Sequence, residues 1–370
     1  MGFWRIFAPS GQIKVLDMLH LSERPKSLCI LRLSAIGDTC HVVPLVRTLQ
    51  RVWPTTQLTW IIGRAESRLM SLLPGVEFIT INKGDGLKAA AVLRAALRGR
   101  RFDVLLHLQL SLRASLLSAI IPAKIRLGFD RARARELQWL FTNQRITPRV
   151  HEHVLDSFQG FLHALGIEGE ALEWNLPLPQ EALQYAASLV PDSLPTLLIS
   201  PCSSHPTRNW PAERYAAIAD YASRAHQMRV ILCGGPSELE RGTAAAIERH
   251  SKAPIINQTG RDTLPLLLAL LARATVLLCP DSGPAHMATM VDTPVIGLYA
   301  ATRSARTGPY LSQQWCVDRY EAAARRYRSC SADQLPWTEK IEQPGVMELI
   351  EIADVRQRLD SLMAQRQLLI

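Results

Sequence analysis

The chain has 370 residues, enough for about two domains at the usual ~150 residues each. Its 48% hydrophobic and 20% charged residues describe a globular protein rather than a disordered one. No apolar run reaches the ~18 residues of a membrane span, since the longest candidate, Leu264 to Ala272, ends at Arg273.

The formal charge of +9 is concentrated in arginine clusters at Arg94 to Arg101, Arg126 to Arg135 and Arg319 to Arg328. Each alone reads as a solvated face. Together they point to an anionic partner: nucleic acid, a phosphorylated substrate or an acidic membrane surface. Only 6% of residues are aromatic and no nucleic-acid motif is present, which argues against the first. Seven scattered cysteines without a Cys-x-x-Cys pair indicate neither zinc nor a disulfide framework.

Met1 to His20 holds Phe3, Trp4, Ile6, Phe7 and a later apolar run, with Arg5 and Lys14 among them. It reads either as an interfacial helix pair on anionic lipid or as a segment packed on its own domain. It lacks the order of a signal peptide, so a cytoplasmic location is expected. From Ser27 onward, strand-like runs at Ser27 to Leu33, Leu58 to Ile62, Phe78 to Ile81, Val104 to Leu108 and Ile125 to Leu127 alternate with helical patterns such as Leu87 to Leu97. The pattern repeats at Thr196 to Ser200, Arg229 to Cys233, Ile255 to Asn257, Val276 to Cys279 and Val295 to Leu298. This alternation predicts two α/β domains, each a doubly wound parallel sheet covered on both faces. Their expected bounds are 1–176 and 196–345, with a Pro-bearing linker at 177–195 and an amphipathic helix at 346–370. Ligands bind beyond the carboxyl ends of such strands, so two facing sheets offer one shared cleft.

The loops at those ends carry the chemistry. After the first strand comes Ser34-Ala35-Ile36-Gly37-Asp38-Thr39. Asp38 is either a base in the cleft or a helix N-cap. Pro201-Cys202-Ser203-Ser204 followed by Arg208-Asn209-Trp210-Pro211 brings small hydroxyls and a cation suited to a diphosphate. Cys233 to Glu238 offers a tight turn and a carboxylate for ribose hydroxyls, or simply a turn before a helix. The stretch Val276 to Tyr299 reads as strand, polar turn, short helix and strand. In it Asp281 or Ser282 can cap the helix, Gly283 permits close approach to the backbone, Pro284 suits the first helical position, and His286 can add a donor or a charge. That is a phosphate site, or a capped turn with a buried histidine.

No dinucleotide fingerprint, P-loop or nucleophile-elbow motif is present. No Asp-x-Asp pair is present either, so neither a cofactor nor a metal is expected. His151-Glu152-His153 looks ligand-like but lacks a third donor nearby.

On ILRLSAIGDTCHVVP (Ile30 to Pro44), RLGFDRARARE (Arg126 to Glu136) and PDSGPAHMATMVDTPVIGLY (Pro280 to Tyr299), the chain resembles the ADP-heptose:lipopolysaccharide heptosyltransferases of glycosyltransferase family 9. The resemblance implies the GT-B fold, two Rossmann-like domains facing across a cleft, with the C-terminal helix returning to the N-terminal domain. It implies inverting, metal-free transfer of heptose from ADP-heptose to the lipopolysaccharide inner core, on a lipid A–Kdo or heptosyl acceptor. Asp38 matches the family's base. Ser203, Ser204, Arg208, Glu238, Asp262, Asp281, Ser282, Gly283 and His286 fall at donor positions, Asp262 through backbone near the adenine. Ser34, Gly37, Arg135 and Glu136 fall on the acceptor side. Peripheral contact with the cytoplasmic face of the inner membrane is a further implied partner.

Three positions depart from the family pattern. Ala300-Ala301-Thr302 replaces Gly-Pro-Thr, His107-Leu108-Gln109-Leu110 replaces Asp-x-Gln-Gly, and Arg208 replaces a lysine. The alternatives are a related GT-B enzyme using another nucleotide sugar or acceptor, and a non-catalytic nucleotide-binding scaffold at the membrane.

Overall fold

The computed structural model describes residues 23–168, 172–191 and 194–367. The lipid-facing reading of Met1 to His20 lies outside the described residues.

Apolar runs become central strands because a parallel sheet is buried on both faces. Strands β1 (Ser27–Leu31), β2 (Gln57–Gly63), β3 (Val76–Ile81), β4 (Phe102–His107), β5 (Ala123–Gly128) and β6 (Gln144–Arg145) form one sheet in the order β3-β2-β1-β4-β5-β6. Strands β7 (Thr196–Ile199), β8 (Arg229–Leu232), β9 (Ile255–Asn257), β10 (Val276–Pro280), β11 (Val295–Tyr299) and β12 (Val317–Asp318) repeat that topology as β12-β11-β10-β7-β8-β9. Every pairing is parallel. The strand order reverses between β1 and β4 and between β7 and β10, the switch points where such sheets hold ligands. Edge strands β6 and β12 were not foreseen, because two residues are too few to show a period.

The first sheet is covered by α1 (Ile36–Val52), α2 (Arg64–Met70), α3 (Leu87–Ala96), α4 (Leu112–Ala119) and α5 (Val154–Ala164). The segment between the sheets forms α6 (Gln180–Leu189). The second sheet carries α7 (Ala212–His226), α8 (Glu238–His250), α9 (Leu264–Arg273), α10 (Gly283–Thr289), α11 (Ser304–Thr307), α12 (Tyr320–Arg328) and α13 (Ile352–Gln367).

One apolar cluster is continuous between the sheets, joining Val43 and Val46 of α1 to Leu267 and Leu270 of α9, Met287 of α10, and Ala182 and Ala186 of α6. The base of the cleft is therefore a dry seam. A second cluster lies under α7 with Trp210 and Tyr215, and a third under α3 with Leu93 and Phe102.

The C-terminal helix does not return to the N-terminal domain. Val355, Leu359 and Leu362 of α13 belong to the cluster under α7, and Asp360 accepts from Tyr221 Oη at 2.8 Å and meets His226 Nε2 at 2.7 Å. The apolar face of α13 matches the uncovered face of the second sheet, so no crossing is needed. The expected continuous helix is also broken, with a 3₁₀ turn at Val346–Leu349 preceding α13.

Candidate active site

Beyond β1 the chain turns through Arg32 to Ala35 before α1 begins. Gln109 fixes that turn, its Oε1 accepting from the N–H groups of Leu33 at 3.0 Å and Ser34 at 3.2 Å. Gln138 holds Gln109 in turn, donating to the carbonyls of His107 at 2.8 Å and Gln109 at 3.3 Å. Asp38 sits in the first turn of α1, not at the N-cap, which is Ala35. Its Oδ2 accepts from Ala35 N–H at 3.3 Å and is ion-paired with Arg32. Arg32 is itself locked, donating to Leu108 O at 2.5 Å with its guanidinium 5.4 Å over the Phe158 ring. One carboxylate oxygen is thus spoken for. Oδ1 has no hydrogen-bond partner among the described residues, and the side chain is 30% exposed. A carboxylate held by one oxygen and open at the other can accept a proton from a hydroxyl in the cleft.

Across the seam, Arg208 and Asp281 form the centre of a charged cluster. Arg208 Nη1 lies 3.2 Å from Asp281 Oδ2, and its Nε and Nη2 donate to Glu342 Oε1 at 2.9 and 2.7 Å. Thr302 and Thr307 donate to Asp281 Oδ2 at 2.9 and 3.4 Å. Arg306 and Lys340 stand beside this group, and burial holds both below their ordinary pKa. The Arg306 guanidinium makes no hydrogen bond or ion pair among the described residues, and feels Asp38 and Asp281 on one hand and Arg135 and Arg208 on the other. Cations crowded to this degree favour an incoming anion. Ser203 is buried, donating its N–H to Asn209 Oδ1 at 2.7 Å, whereas Ser204 is exposed.

Capping by Asp281 or Ser282 does not occur. Ser282 occupies the N-cap of α10, but its Oγ is buried without a partner, and the Asp281 carboxylate is committed to Arg208 and the threonines. Because α10 spans only seven residues, few peptide dipoles align and the positive potential comes mainly from side chains. Ala300 and Ala301 pack into the core beneath α7, and Ala301 O accepts from Ile341 N–H at 2.8 Å. Only Thr302 of that triplet reaches the cluster.

At the far end of the second sheet, Glu238 opens α8 and is exposed, with no side-chain partner among the described residues. Glu240 turns inward instead, accepting from Gly235 N–H at 2.7 Å and from Ser237 Oγ at 2.6 Å, which fastens the glycine turn. Asp262 faces the same turn. Both its carboxylate oxygens are buried without partners, and desolvation, aided by the Glu240 charge, pushes its pKa up to about 7.

The two halves meet at α1 and α10. A β-carbon on Gly37 would lie 2.3 Å from His286 Cδ2, and one on Gly283 would lie 2.2 Å from Ile36 Cγ2. Gly283 therefore serves domain approach here, since Ile36 covers the face expected to admit a ligand. His286 packs edge-on to His41 at 4.5 Å, and His41 to His153 at 5.4 Å. Burial lowers the pKa of all three, that of His153 to about 4. Burial thus disfavours the charged form of His286, against the carboxylates of Asp281 and Asp38, which favour it. His153 caps α5, its Nδ1 accepting from Leu155 N–H at 3.0 Å while Nε2 donates to Gly308 O at 2.9 Å. With both nitrogens used and His151 stacked on Trp337, the His151-Glu152-His153 trio has no ligating geometry. No metal-holding cluster occurs among the described residues.

On the acceptor side, Arg135 reaches Thr338 of the second domain, and Glu136 accepts from Leu112 N–H at 2.5 Å. Much of the arginine cluster is structural: Arg126 is spent on the carbonyls of Ser118, Ile121 and Phe141, and Arg133 on Asp130, Glu152 and Thr147. Sequence reasoning missed Arg32, Gln109, Arg306, Lys340 and Glu342. A signal existed for Arg32, a cation inside the apolar run ILRL that must find a partner when buried. Glu342 carries none, since it lies far along the chain from Arg208.

Residues 90–335 match the model of a family described as glycosyltransferase family 9 (heptosyltransferase). The lipopolysaccharide core heptosyltransferase OpsX of Haemophilus influenzae is 39% identical over 334 residues, covering 90% of this chain and 96% of that protein. Among solved structures, a family 9 glycosyl transferase from Veillonella parvula aligns with a TM-score of 0.76 at 21% identity, over 92% of this chain and 98% of that one. E. coli heptosyltransferase WaaC with ADP aligns at 0.70 and 18%, over 91% and 99%. These structural likenesses speak to the fold, and the sequence matches to the family. The chain is a glycosyltransferase and belongs to family 9, the heptosyltransferases.

Proposed function

We propose that this enzyme transfers heptose from ADP-heptose to a sugar of the lipopolysaccharide inner core, by a single displacement that inverts the anomeric carbon. The carrying observation is the unpartnered Oδ1 of Asp38 on one side of the seam and the Arg208–Asp281 cluster on the other. In this reading the acceptor hydroxyl gives its proton to Asp38 Oδ1 as its oxygen forms the new bond to the sugar carbon. The bond from that carbon to the diphosphate oxygen breaks through an oxocarbenium-like state, and ADP leaves with the electron pair. Arg208 stabilises the charge that develops on the diphosphate, helped by Arg306 and Lys340 and by the hydroxyls of Ser203 and Ser204. His286 can donate a hydrogen bond to the same group. Asp262 and the glycine turn fastened by Glu240 would bind the nucleoside, with Glu238 at the rim. Ser34, Gly37, Arg135 and Glu136 would line the acceptor approach. Charge stabilisation by this side-chain set supports a mechanism that requires no metal. With a lipid-linked acceptor, the enzyme would work at the cytoplasmic face of the inner membrane.

ADP release from ADP-heptose, followed with EDTA present and truncated core acceptors of increasing length, tests this. Release that depends on acceptor is expected. A protein that binds ADP but releases none with any acceptor would sink the heptose reading.

A further inference from the structure

Four of the large apolar side chains exposed among the described residues lie on two neighbouring segments of the N-terminal domain. Leu112 and Leu116 stand one turn apart on α4, and Leu137 and Leu140 on the loop after β5. Leu116 is 57% and Leu140 58% exposed. The loop runs alongside the helix. At one end Glu136 accepts from Leu112 N–H, and at the other Arg126 joins Ser118 O of α4 at 2.5 Å to Phe141 O at 2.8 Å. The helix and the loop that carry the four leucines are therefore neighbours at both ends. Glu136 and Leu137 hold φ of 48° and 62°, a conformation that β-carbon-bearing residues avoid, and it presents Leu137 to solvent.

The exposed charge beside these leucines is mostly positive, with Arg113, Arg131 and Arg135 against Glu136. From Ser111 to Arg149 there are eight arginines and lysines against two carboxylates, Asp130 and Glu136. Asp130 is paired with Arg133, while Glu136 accepts from Leu112 N–H and keeps its charge. Arg113 and Arg131 are exposed beside the leucines, Arg131 lying 3.7 Å over the Trp139 ring. The patch also borders the cleft, since the neighbouring Arg135 reaches across to Thr338.

We propose that the α4 face and the 136–141 loop form a docking surface for an anionic phospholipid bilayer, with Leu112, Leu116, Leu137 and Leu140 entering the interface and Arg113 and Arg131 meeting the headgroup phosphates. Protruding aliphatic side chains ringed by cations are the arrangement an anionic bilayer surface binds, whereas a protein partner would be expected to meet a shaped apolar pocket. Docking here turns the cleft mouth toward the membrane, where a lipid-linked acceptor lies. That purpose rests on the acceptor proposed above; the contact itself does not.

Flotation of the full chain with vesicles tests the surface. The parent protein is expected to float with vesicles containing phosphatidylglycerol and not with phosphatidylcholine alone. Leu116→Glu with Leu140→Glu should lower that partitioning about tenfold or more. Arg113→Gln with Arg131→Gln should weaken it and flatten its salt dependence. The leucine variant replaces exposed side chains, so thermal melting like the parent's is expected of it, as is an unchanged transfer rate to a deacylated, water-soluble acceptor, and a melt of the arginine variant serves as its folding control. A parent that ignores anionic vesicles, or a Leu116→Glu/Leu140→Glu protein that floats as the parent does, overturns the proposal. Failure of the parent to transfer sugar counts against the heptose reading alone, because flotation is read without turnover.

Discussion

The two sheets share one topology, yet the ends of their strands are built in opposite ways. Beyond β1 a single carboxylate is held in a neutral frame, with Gln109 and Gln138 satisfying backbone groups and Arg32 taking one oxygen of Asp38. Beyond β7 and β10 charge is dense: Arg208 stands between Asp281 and Glu342, with Arg306 and Lys340 near. The first arrangement suits moving one proton, and the second suits holding a polyanion. A fold repeated twice can thus divide the reaction, because the sheets supply only positions while the loops supply charge.

Substitutions on each side should separate these roles. Asp38→Asn removes the proposed proton acceptor and is expected to lower kcat by about 10²–10⁴-fold with ADP affinity nearly unchanged. If steady-state rates in a folded variant stay at the parent level, Asp38 is only a helix-capping group. On the other side, Arg208→Ala removes a charged donor and should weaken ADP binding by about 10–100-fold in calorimetric titration, with Arg208→Lys falling between. ADP affinity unaltered by Arg208→Ala would remove the diphosphate from this cluster.

The seam that joins the two sides can be tested by packing. Gly283→Ala should cost about 1–3 kcal/mol of stability or of domain closure, since its β-carbon meets Ile36. Adding Ile36→Ala to it should restore much of the loss, and no rescue in the double variant would argue against that contact.

Acid should loosen the same seam. His153 has its pKa depressed in the folded state, to about 4, from an ordinary value of about 6.5. Between those values the unfolded chain binds a proton that the folded one does not. Its contribution to stability is therefore full above pH ~6.5 and falls by about 1.4 kcal/mol per pH unit on the way down to about 4. His153→Asn, which keeps a capping oxygen, should show a shallower decline in Tm over this range. Parallel curves for parent and variant would contradict a buried neutral His153.

Much of this architecture is legible in the chain. Short apolar runs ended by turn residues locate ten of the strands, since burial on both faces leaves no polar alternation to confuse with a helix. The loops bearing Asp38, Ser203, Arg208 and Asp281 follow from that placement. Roles within the loops are less legible. Glu238 was the visible carboxylate after β8, but Glu240 faces the turn, because the reach back to Gly235 belongs to the third residue of the helix. The return of the C-terminal helix is an implication of the resemblance that α13 does not follow, and its amphipathic pattern states only that a face is buried and not what buries it.

The sequence by itself determined the two sheets, their order of elements, the loops that carry the polar groups and membership of family 9. The sheets and loops are set within a few residues of one another by periodicity and turn chemistry, and the family by its motif segments and sequence matches. Only the tertiary structure decided which oxygen of Asp38 is open, that Glu342 shares Arg208 with Asp281, that Gly37 and Gly283 let α1 meet α10, and that burial disfavours the charged form of the seam histidines. Each of those depends on groups distant in the chain, whose burial and charge exist only once the two domains have met.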